Sequence, residues 1–280
     1  MKTELDDYGR FIAQVKKKTG IDLSLYKEAQ MKRRLTTLYE KRGFSSFSEF
    51  FHGLDKNEHL LEEFLDRMTI NVSEFYRNKS RWDVLERNIL PGLLKEKGEK
   101  LKIWSAASST GEEPYTMAMI LSKYLPLNKI QILATDIDQK ALQKAEAGVY
   151  SERSILEVPR EMKQKYFQKS GGGPFYQIAD EIRRAVIFKQ HNLLHDPYPA
   201  ADLIICRNVL IYFTEEAKVS VYRNFSKTLS ANGILFVGST EQIFNPAAYG
   251  FEIEDTFFYK KNIKRSIYSI YSDCGIVIDM

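Results

Sequence analysis

The fold of this 280-residue chain is decided by the stretch Trp104-Ser105-Ala106-Ala107-Ser108-Ser109-Thr110-Gly111-Glu112-Glu113-Pro114. A short apolar strand, Leu101–Ala106, leads into it, and Pro114 suits the first turn of a following helix. Small residues at 107, 109 and 111 let the backbone approach a ligand at the N-terminus of that helix. Many strand–helix turns are built in this way, so the turn alone is weak support for a ligand site.

Strands and helices alternate downstream of this turn. The predicted strands are Ile130–Thr135, Ala185–Lys189, Asp202–Cys206 and Gly233–Gly238, and the predicted helices are Pro114–Tyr124, Gln139–Ala147 and Glu215–Leu229. This alternation predicts an α/β domain, in which a parallel sheet carries helices on both faces and binds ligands at the carboxyl ends of its strands. Residues 150–190, which contain Gly171-Gly172-Gly173-Pro174, interrupt the pattern and are predicted to form a small antiparallel insertion.

The chain upstream of the turn is predicted to be helical. Apolar residues recur at helical spacing throughout residues 5–82, and no strand pattern occurs there. Trp82 to Leu94 is a further helical stretch, interrupted at Pro91-Gly92, and the polar segment Glu96–Lys100 is predicted to be a hinge near a domain boundary.

Composition indicates an ordinary globular protein with an uneven charge. The net charge is only +4, yet residues 16–42 carry nine basic and three acidic side chains. Such a local surplus is typical of a binding surface. The chain has no apolar run of the roughly 20 residues that a membrane-spanning helix needs, and its polar start does not resemble a secretory signal.

Few residues suited to metal binding or disulfide formation occur in the chain. Two cysteines, Cys206 and Cys274, are too few for a disulfide framework, and no Cys or carboxylate cluster joins the pair His191 and His195. We therefore expect a reduced, cytoplasmic protein without a metal site.

Three acidic positions suggest which ligand the turn receives. Asp136 ends the second strand, where a carboxylate can accept both ribose hydroxyls of an adenosine-bearing ligand. It could instead cap the next helix, although Asp138 could also serve as that cap. Glu112 and Glu113 would repel a pyrophosphate but suit a sulfonium or an α-amino group, which favours S-adenosylmethionine over NAD.

Two further segments carry polar side chains near the predicted strand ends. Asp196-Pro197-Tyr198-Pro199 resembles a motif of nucleic-acid amino-methyltransferases, but it precedes the strand that it should follow, so we interpret it as a Pro-rich turn. The segment Cys206–Phe213 places Arg207, Asn208 and Tyr212 where the ligand site should lie. The alternative is that Asn208 caps the next turn and Tyr212 packs.

Four ordered blocks resemble the CheR family of chemotaxis receptor glutamate O-methyltransferases. They are Asn71–Arg77, Ser105–Tyr115, Ala134–Asp138 and Cys206–Phe213, and the resemblance covers about residues 5–261. It implies a Rossmann-like class I S-adenosylmethionine-dependent methyltransferase domain with a small antiparallel β-subdomain, preceded by an all-helical N-terminal domain.

The resemblance also implies domain boundaries. These are residues 1–76 for a helical receptor-docking domain, 77–98 for a linker helix and 99–261 for the methyltransferase domain, whose β-subdomain spans about 150–190. Residues 262–280 form a tail to which the resemblance assigns no role.

The resemblance implies a role for each matching residue. Cofactor binding is implied for Asn71, Ser73, Arg77, Glu113, Asp136, Asn192, Leu193, Arg207 and Asn208, and a catalytic role for Arg77 and Tyr212. The implied reaction transfers a methyl group from S-adenosylmethionine to receptor glutamates, leaving S-adenosylhomocysteine. The implied partners are the cytoplasmic helices of chemotaxis receptors, with no nucleic acid, metal or membrane insertion, and the protein would be recruited to membrane receptor arrays.

Two other functions remain open from the residues. A nucleic-acid or small-molecule methyltransferase is favoured by the basic window and opposed by the misplaced Asp196–Pro199 turn. A non-enzymatic module that binds S-adenosylmethionine and only docks on receptors is opposed by the complete set of cofactor residues. Residues 27–42 of the basic window are predicted to form a helix, and the resemblance implies that its Lys32, Arg33 and Arg34 dock on the Glu-rich helices of a receptor. Its alternative is a solvated helix face.

Overall fold

The computed structural model describes residues 6–69 and 71–262, so most of the predicted tail lies outside the described residues. The chain forms two compact units. One comprises the residues up to Asn71 together with Tyr212–Lys218, and the other comprises Val72–Ile211 and the residues from Val219 onward. We call them the helical unit and the α/β unit. The division between Asn71 and Val72 comes before the predicted boundary at residue 76.

Over residues 6–69 the helical unit contains α1 (Asp7–Thr19), α2 (Glu28–Lys41), α3 (Phe47–Lys56) and α4 (Glu58–Met68). Side-chain caps start three of them, because Asp6, Ser46 and Asn57 each accept a backbone N–H of the first turn. Their apolar faces meet in an aromatic cluster of completely buried side chains: Phe11, Phe50 and Phe64. The apolar faces of these helices therefore pack together into one small core.

A seven-stranded sheet organises the α/β unit. Its strands are β1 (Ile103–Ala106), β2 (Ile132–Asp136), β6 (Val186–Gln190), β7 (Ala201–Cys206), β8 (Leu229–Val237), β9 (Phe251–Asp255) and β10 (Phe258–Lys261). Their order is β6-β2-β1-β7-β8-β10-β9; the first five run parallel, and β10 and β9 are antiparallel additions. The central strands are buried along their whole length, as expected of a parallel sheet covered on both faces. The unit therefore has the predicted Rossmann-like α/β architecture.

The remaining helices belong to the second unit or run into it: α5 (Lys79–Val84), α6 (Leu90–Lys97), α7 (Glu112–Leu121), α8 (Gln139–Ala147), α9 (Arg160–Tyr166), α10 (Asp180–Arg183) and α11 (Glu215–Thr228). Between α5 and α6 the helix continues through a π-helical stretch, Leu85–Ile89. Contrary to the prediction, Pro91 does not interrupt the helix. Trp82, Leu85 and Leu90 are buried in the core of the α/β unit. Residues 77–98, the predicted linker helix, therefore pack into this unit.

The small antiparallel sheet forms as predicted but is shorter. It consists of β3 (Val149–Ser151), β4 (Phe167–Ser170) and β5 (Phe175–Ile178), in the order β3-β5-β4. The prediction extended the insertion to residue 190, whereas β6 pairs in parallel with β2 in the large sheet. Alternating apolar residues alone do not distinguish an insertion strand from a strand of the main sheet.

The segment from residue 71 to residue 78 is not helical, contrary to the prediction for residues 5–82. Tyr76 and Asn78 have positive φ angles of 54° and 59°, which break any helix. Phe75 is completely buried against Tyr150 and Phe167. Tertiary packing therefore overrides the local helical pattern in this segment.

Within residues 6–69 and 71–262, every helix is too short or too polar to cross a membrane. In the same part of the chain, no three His, Cys, Asp or Glu side chains converge as metal ligands would.

Candidate functional site

The turn between β1 and α7 adopts a conformation that only small residues tolerate. Ala107, Ser109 and Gly111 have φ angles of 60°, 49° and 91°. A Cβ atom at Gly111 would lie 2.8 Å from the Cβ of Ala145, so a larger residue has no room there. The hydroxyl of Tyr150 donates to the carbonyl of Thr110 at 2.7 Å and fixes the turn from the small sheet. The small-residue pattern in the sequence thus reflects a real steric requirement.

Asp136 lies at the end of β2 and faces this turn. Its carboxylate accepts the backbone N–H of Ser109 at 2.8 Å and that of Asp138 at 2.9 Å. Burial raises the pKa of Asp136, and the two backbone donors oppose that shift. The capping role that was left open belongs to Asp138, which accepts the N–H groups of Lys140 and Ala141 at the start of α8. Asp136 is therefore not the helix cap.

Glu113, in the first turn of α7, lies beside Arg207 at the end of β7. The nearest charged atoms, Glu113 Oε2 and Arg207 Nη1, are 3.6 Å apart, and Ser105 Oγ donates to the other carboxylate oxygen at 2.9 Å. Burial raises the pKa of Glu113 to about 7, although Arg207 and Ser105 act in the opposite direction. The ends of β1 and β7 are thus joined by a buried ion pair.

Arg207 also reaches the segment after Asn71. Its Nη2 atom donates to the carbonyl of Arg77 at 2.8 Å and to Oδ1 of Asn78 at 3.1 Å. The guanidinium lies over the rings of Trp82 and Phe236, 5.4 and 4.8 Å from their centroids. Arg207 therefore holds Arg77 and Asn78 close to the end of β7.

Residues 71–77 meet the turn through Ser73, which hydrogen-bonds the carboxylate of Glu112. Thr110 Oγ1 donates to the same carboxylate at 2.7 Å, and burial raises the pKa of Glu112. The backbone N–H of Tyr76 donates to Thr116 Oγ1 at 3.2 Å, and Arg77 Nη1 donates to the carbonyl of Val72 at 3.0 Å. Ser73 and Arg77 are therefore held in the α/β unit close to the residues of the turn.

Asn192 and Leu193 follow β6 in a turn connected to Asp136. The N–H of His191 donates to the carbonyl of Asp136 at 2.9 Å, which brings the next two residues toward the end of β2. Asp196 accepts the N–H of Asn192 at 2.8 Å, and the hydroxyl of Tyr198 donates to the carbonyl of Leu193 at 2.6 Å. The Asp196–Pro199 segment is thus a turn that supports Asn192 and Leu193.

Asn208 is held by Glu241, a residue that the sequence analysis missed. The Glu241 carboxylate is 5% exposed and accepts the N–H groups of Asn208, Leu210 and Gly238 at 2.6, 2.7 and 2.9 Å. Burial raises its pKa, against these donors. Asn208 has a φ angle of 63°, so this turn is strained for most residues. The only signal in the sequence is one Glu within Gly238-Ser239-Thr240-Glu241, after the last predicted strand.

Two predicted site residues, Asn71 and Tyr212, belong to the helical unit rather than to the α/β unit that holds the others. Asn71 Nδ2 lies 3.4 Å from Thr69 Oγ1. The carbonyl of Tyr212 accepts the N–H of Lys27 at 2.8 Å, and the guanidinium of Arg34 lies 5.7 Å from the centroid of its ring. Tyr212 is thus fixed by residues at the start of α2 and within it.

The three predicted docking residues of α2 differ in exposure. Arg33 is exposed, whereas Lys32 and Arg34 are half-buried. Lys32 pairs with Asp6 at 3.6 Å and with Glu28 at 3.9 Å, and it lies over the ring of Tyr8. Arg34 Nη1 donates to the carbonyl of Met68 at 2.8 Å. Of the three predicted docking charges, only that of Arg33 is fully available to a partner.

The residues at the strand ends fit S-adenosylmethionine. Each oxygen of Asp136 accepts one backbone N–H and keeps capacity for a ribose hydroxyl. Glu113 offers a carboxylate for the amino group of the methionine part, and among the described residues the buried Ser108 Oγ of the turn has no partner.

Comparisons with known proteins identify the family of this chain. Residues 71–257 match the family model "CheR methyltransferase, SAM binding domain", and residues 6–69 match "CheR methyltransferase, all-alpha domain". The chain is 45% identical over 256 residues to a chemotaxis protein methyltransferase of Listeria innocua, a match that covers 91% of this chain and 97% of the relative. It is 35% identical to a chemotaxis protein methyltransferase of Borreliella burgdorferi, covering 85% of this chain and 88% of the relative.

These matches span both units and include the turn, the strand ends and the segment after Asn71. The α/β unit is thus the S-adenosylmethionine-binding domain, and the chain belongs to the CheR methyltransferase family.

Proposed function

We propose that the protein transfers a methyl group from S-adenosylmethionine to glutamate side chains of chemotaxis receptors, giving glutamate methyl esters and S-adenosylhomocysteine. One observation carries the proposal: the buried Glu113–Arg207 pair and the buried Asp136 carboxylate stand at neighbouring strand ends of a CheR-family domain. The names of the relatives support the chemotaxis context.

The cofactor would be held by residues from several segments of the α/β unit. Asp136 would accept the ribose hydroxyls, and Glu113 would face the amino group of the methionine part. Asn192 and Leu193 would lie by the adenine, and Arg207 and Asn208 would line the methionine end. Because Arg207 is buried and anchored to the carbonyl of Arg77, it would keep Ser73 and Arg77 close to the same end. Asn71, at the edge of the helical unit, would complete the set.

The chemistry asks little of acid–base groups in the protein. S-adenosylmethionine, when bound, supplies an electrophilic methyl group on a positively charged sulfur. A glutamate acceptor has a side-chain pKa of about 4.3 and is already ionised at neutral pH, so no general base is required. Arg77 would steer the acceptor carboxylate, and Tyr212 would orient it beside the methyl group. The residues thus act by positioning and by excluding water, which can supply much of the rate.

The exposed face of α2 would receive the receptor. Arg33 is the predicted docking residue whose charge faces solvent, and a basic helix suits an acidic receptor helix through steering and orientation. The half-buried Lys32 would add a smaller contribution, because its charge is already paired with Asp6 and Glu28. We propose a cytoplasmic enzyme that is recruited to receptors at the membrane.

A labelling experiment separates this function from its alternatives. The purified protein is incubated with radiolabelled S-adenosylmethionine and with either receptor-containing membranes or RNA. The proposal predicts label on the receptor and none on RNA. Label on RNA would favour a nucleic-acid methyltransferase, and cofactor binding without label on any acceptor would favour a non-enzymatic docking module.

A further inference from the structure

The segment that carries Tyr212 is fastened to the helical unit by its backbone. The N–H of Lys27 donates to the carbonyl of Tyr212 at 2.8 Å, and the N–H of Thr214 donates to the carbonyl of Leu25 at 2.9 Å. Tyr26 and Phe213 form a β-bridge, and their rings meet edge to face with centroids 5.2 Å apart. These contacts fix the backbone of Tyr212 but leave the direction of its side chain to other groups.

Arg34 is the charged side chain placed on the ring of Tyr212. Its guanidinium is 5.7 Å from the ring centroid, within the range of a cation–π contact. The hydrogen bond from Arg34 Nη1 to the carbonyl of Met68, 2.8 Å long, holds the guanidinium at the end of α4. Because the guanidinium has a fixed partner behind it, it can act as a rigid support for the ring.

Arg34 and Arg33 are neighbours in sequence but occupy different environments. Consecutive residues of a helix point about a quarter-turn apart, and here the first is exposed while the second is half-buried. Burial lowers the pKa of Arg34, which remains far above neutrality for any arginine. In the basic window, Arg33 therefore offers its charge to an external partner, whereas Arg34 places its charge against residues of the protein itself.

We propose that Arg34 is a positioning residue for methyl transfer, which orients the Tyr212 ring. The inference rests on the proposed role of Tyr212. It changes the assignment of Arg34, which the sequence grouped with the docking residues. Its contribution appears in turnover, and that of Arg33 appears in receptor affinity.

Kinetics on four variants test this proposal: Arg34→Met, Arg34→Lys, Tyr212→Phe and the double variant. The cation–π contact predicts a kcat about three- to tenfold lower for Arg34→Met, with little change in the receptor KM. Arg34→Lys keeps a cation near the ring and should recover most of that loss. In the Tyr212→Phe background, Arg34→Met should cost much less, because no hydroxyl remains to be oriented.

Two measurements that do not depend on turnover complete the design. Spectra of the protein with ¹³C-labelled tyrosine should show a shifted Tyr212 ring signal in Arg34→Met and a smaller shift in Arg34→Lys. Binding of S-adenosylmethionine, measured by calorimetry, should be unchanged in both variants. Lys56→Met, which removes an exposed charge at the end of α3 and outside the basic window, is the control and should leave all readouts unchanged.

The outcomes distinguish failure of this inference from failure of the proposed function. If Tyr212→Phe slows turnover while Arg34→Met keeps the wild-type kcat and ring signal, the positioning role is wrong and the function stands. If Arg34→Met raises only the receptor KM, Arg34 is a docking residue. If Tyr212→Phe has wild-type kcat, the role of Tyr212 fails and this inference fails with it. A wild-type protein that methylates no receptor overturns the proposed function itself.

Discussion

Oε2 of Glu113 lies 3.6 Å from Nη1 of Arg207, and their side chains are only 12% and 3% exposed. The pair joins the turn after β1 to the end of β7. Removal of one partner would leave the other charge buried and unpaired, at a cost of about 3–5 kcal/mol. The pair is therefore a structural link between these two parts of the site.

Cofactor affinity should depend on pH through Glu113. Burial raises the pKa of this carboxyl to about 7, so below that pH it is largely neutral in the free protein. A cationic amino group favours the ionised form, so binding should release a proton and tighten as pH rises from about 6 to about 8. Calorimetry in buffers of different ionisation enthalpy measures both the affinity and the proton release. In Glu113→Gln the affinity should be lower and its pH dependence flatter.

The raised pKa of Glu113 also affects the stability of the cofactor-free protein. The folded pKa lies above the ordinary value, so ionisation costs more in the folded state, and the stability contributed by neutral Glu113 is lost as pH rises toward about 7. The Tm of the wild type should therefore fall, relative to that of Glu113→Gln, between about pH 5 and about pH 8. Parallel Tm curves and a pH-independent cofactor affinity would contradict the assigned environment of Glu113.

Asp136→Asn should weaken binding of S-adenosylmethionine by about tenfold to a hundredfold, because charge-assisted hydrogen bonds to the ribose would be lost. The variant keeps the size of the side chain and one carbonyl oxygen, while its amide nitrogen would face one of the two backbone donors. Calorimetry gives the dissociation constant. Asp138→Asn is the matched control, since Asn caps helices nearly as well as Asp and this residue caps α8. Equal affinity of wild type and Asp136→Asn would refute the ribose role.

Charge reversal at Arg33 should weaken docking without affecting the cofactor. Arg33→Glu is expected to raise the receptor KM several-fold at low salt and to flatten its dependence on ionic strength, because an exposed attraction is replaced by a repulsion. Methylation rates measured across a salt series report both effects. Binding of S-adenosylmethionine should match that of the wild type. A receptor KM that does not respond to the reversal would mean that α2 presents only a solvated face.

Glu241→Gln should destabilise the turn after β7. One carboxylate oxygen accepts the N–H groups of both Asn208 and Gly238, and an amide nitrogen in its place would face two donors. We expect a loss of about 2–4 kcal/mol in the free energy of unfolding and weaker cofactor binding. Denaturant titration and calorimetry measure these changes. Glu254→Gln, at a half-exposed carboxylate of β9, is the control and should change neither. Wild-type stability of Glu241→Gln would show that Glu241 does not support the turn.

The sequence predicted the features whose cause is local. Small residues at 107, 109 and 111 indicated the turn because the backbone there has positive φ angles, and Asp136 followed a strand whose apolar pattern was clear. The parallel pairing within the large sheet was expected from the alternation of strands and helices, whereas the order of the strands was not predicted. These features depend on neighbours in the chain, and periodicity and turn composition record them.

The features that were missed depend on distant residues. Glu241 acts on a turn about thirty residues before it in the chain, and no local pattern connects the two. The segment around Phe75 is not helical because Phe75 packs against Tyr150 and Phe167. The environment of Arg34 differs from that of Arg33 because Arg34 contacts Tyr212 and Met68, which are distant from it in the sequence. Long-range contacts of this kind leave no period or spacing in the sequence.

The bond that forms in the product tests the central claim most directly. After incubation with labelled S-adenosylmethionine, receptor-containing membranes are treated with mild alkali, and volatile methanol is collected. Glutamate methylation predicts that the label on the receptor is released as methanol, and that receptors with Gln in place of the modified Glu no longer accept it. Alkali-stable label on the receptor, or label that persists after that replacement, would contradict the account.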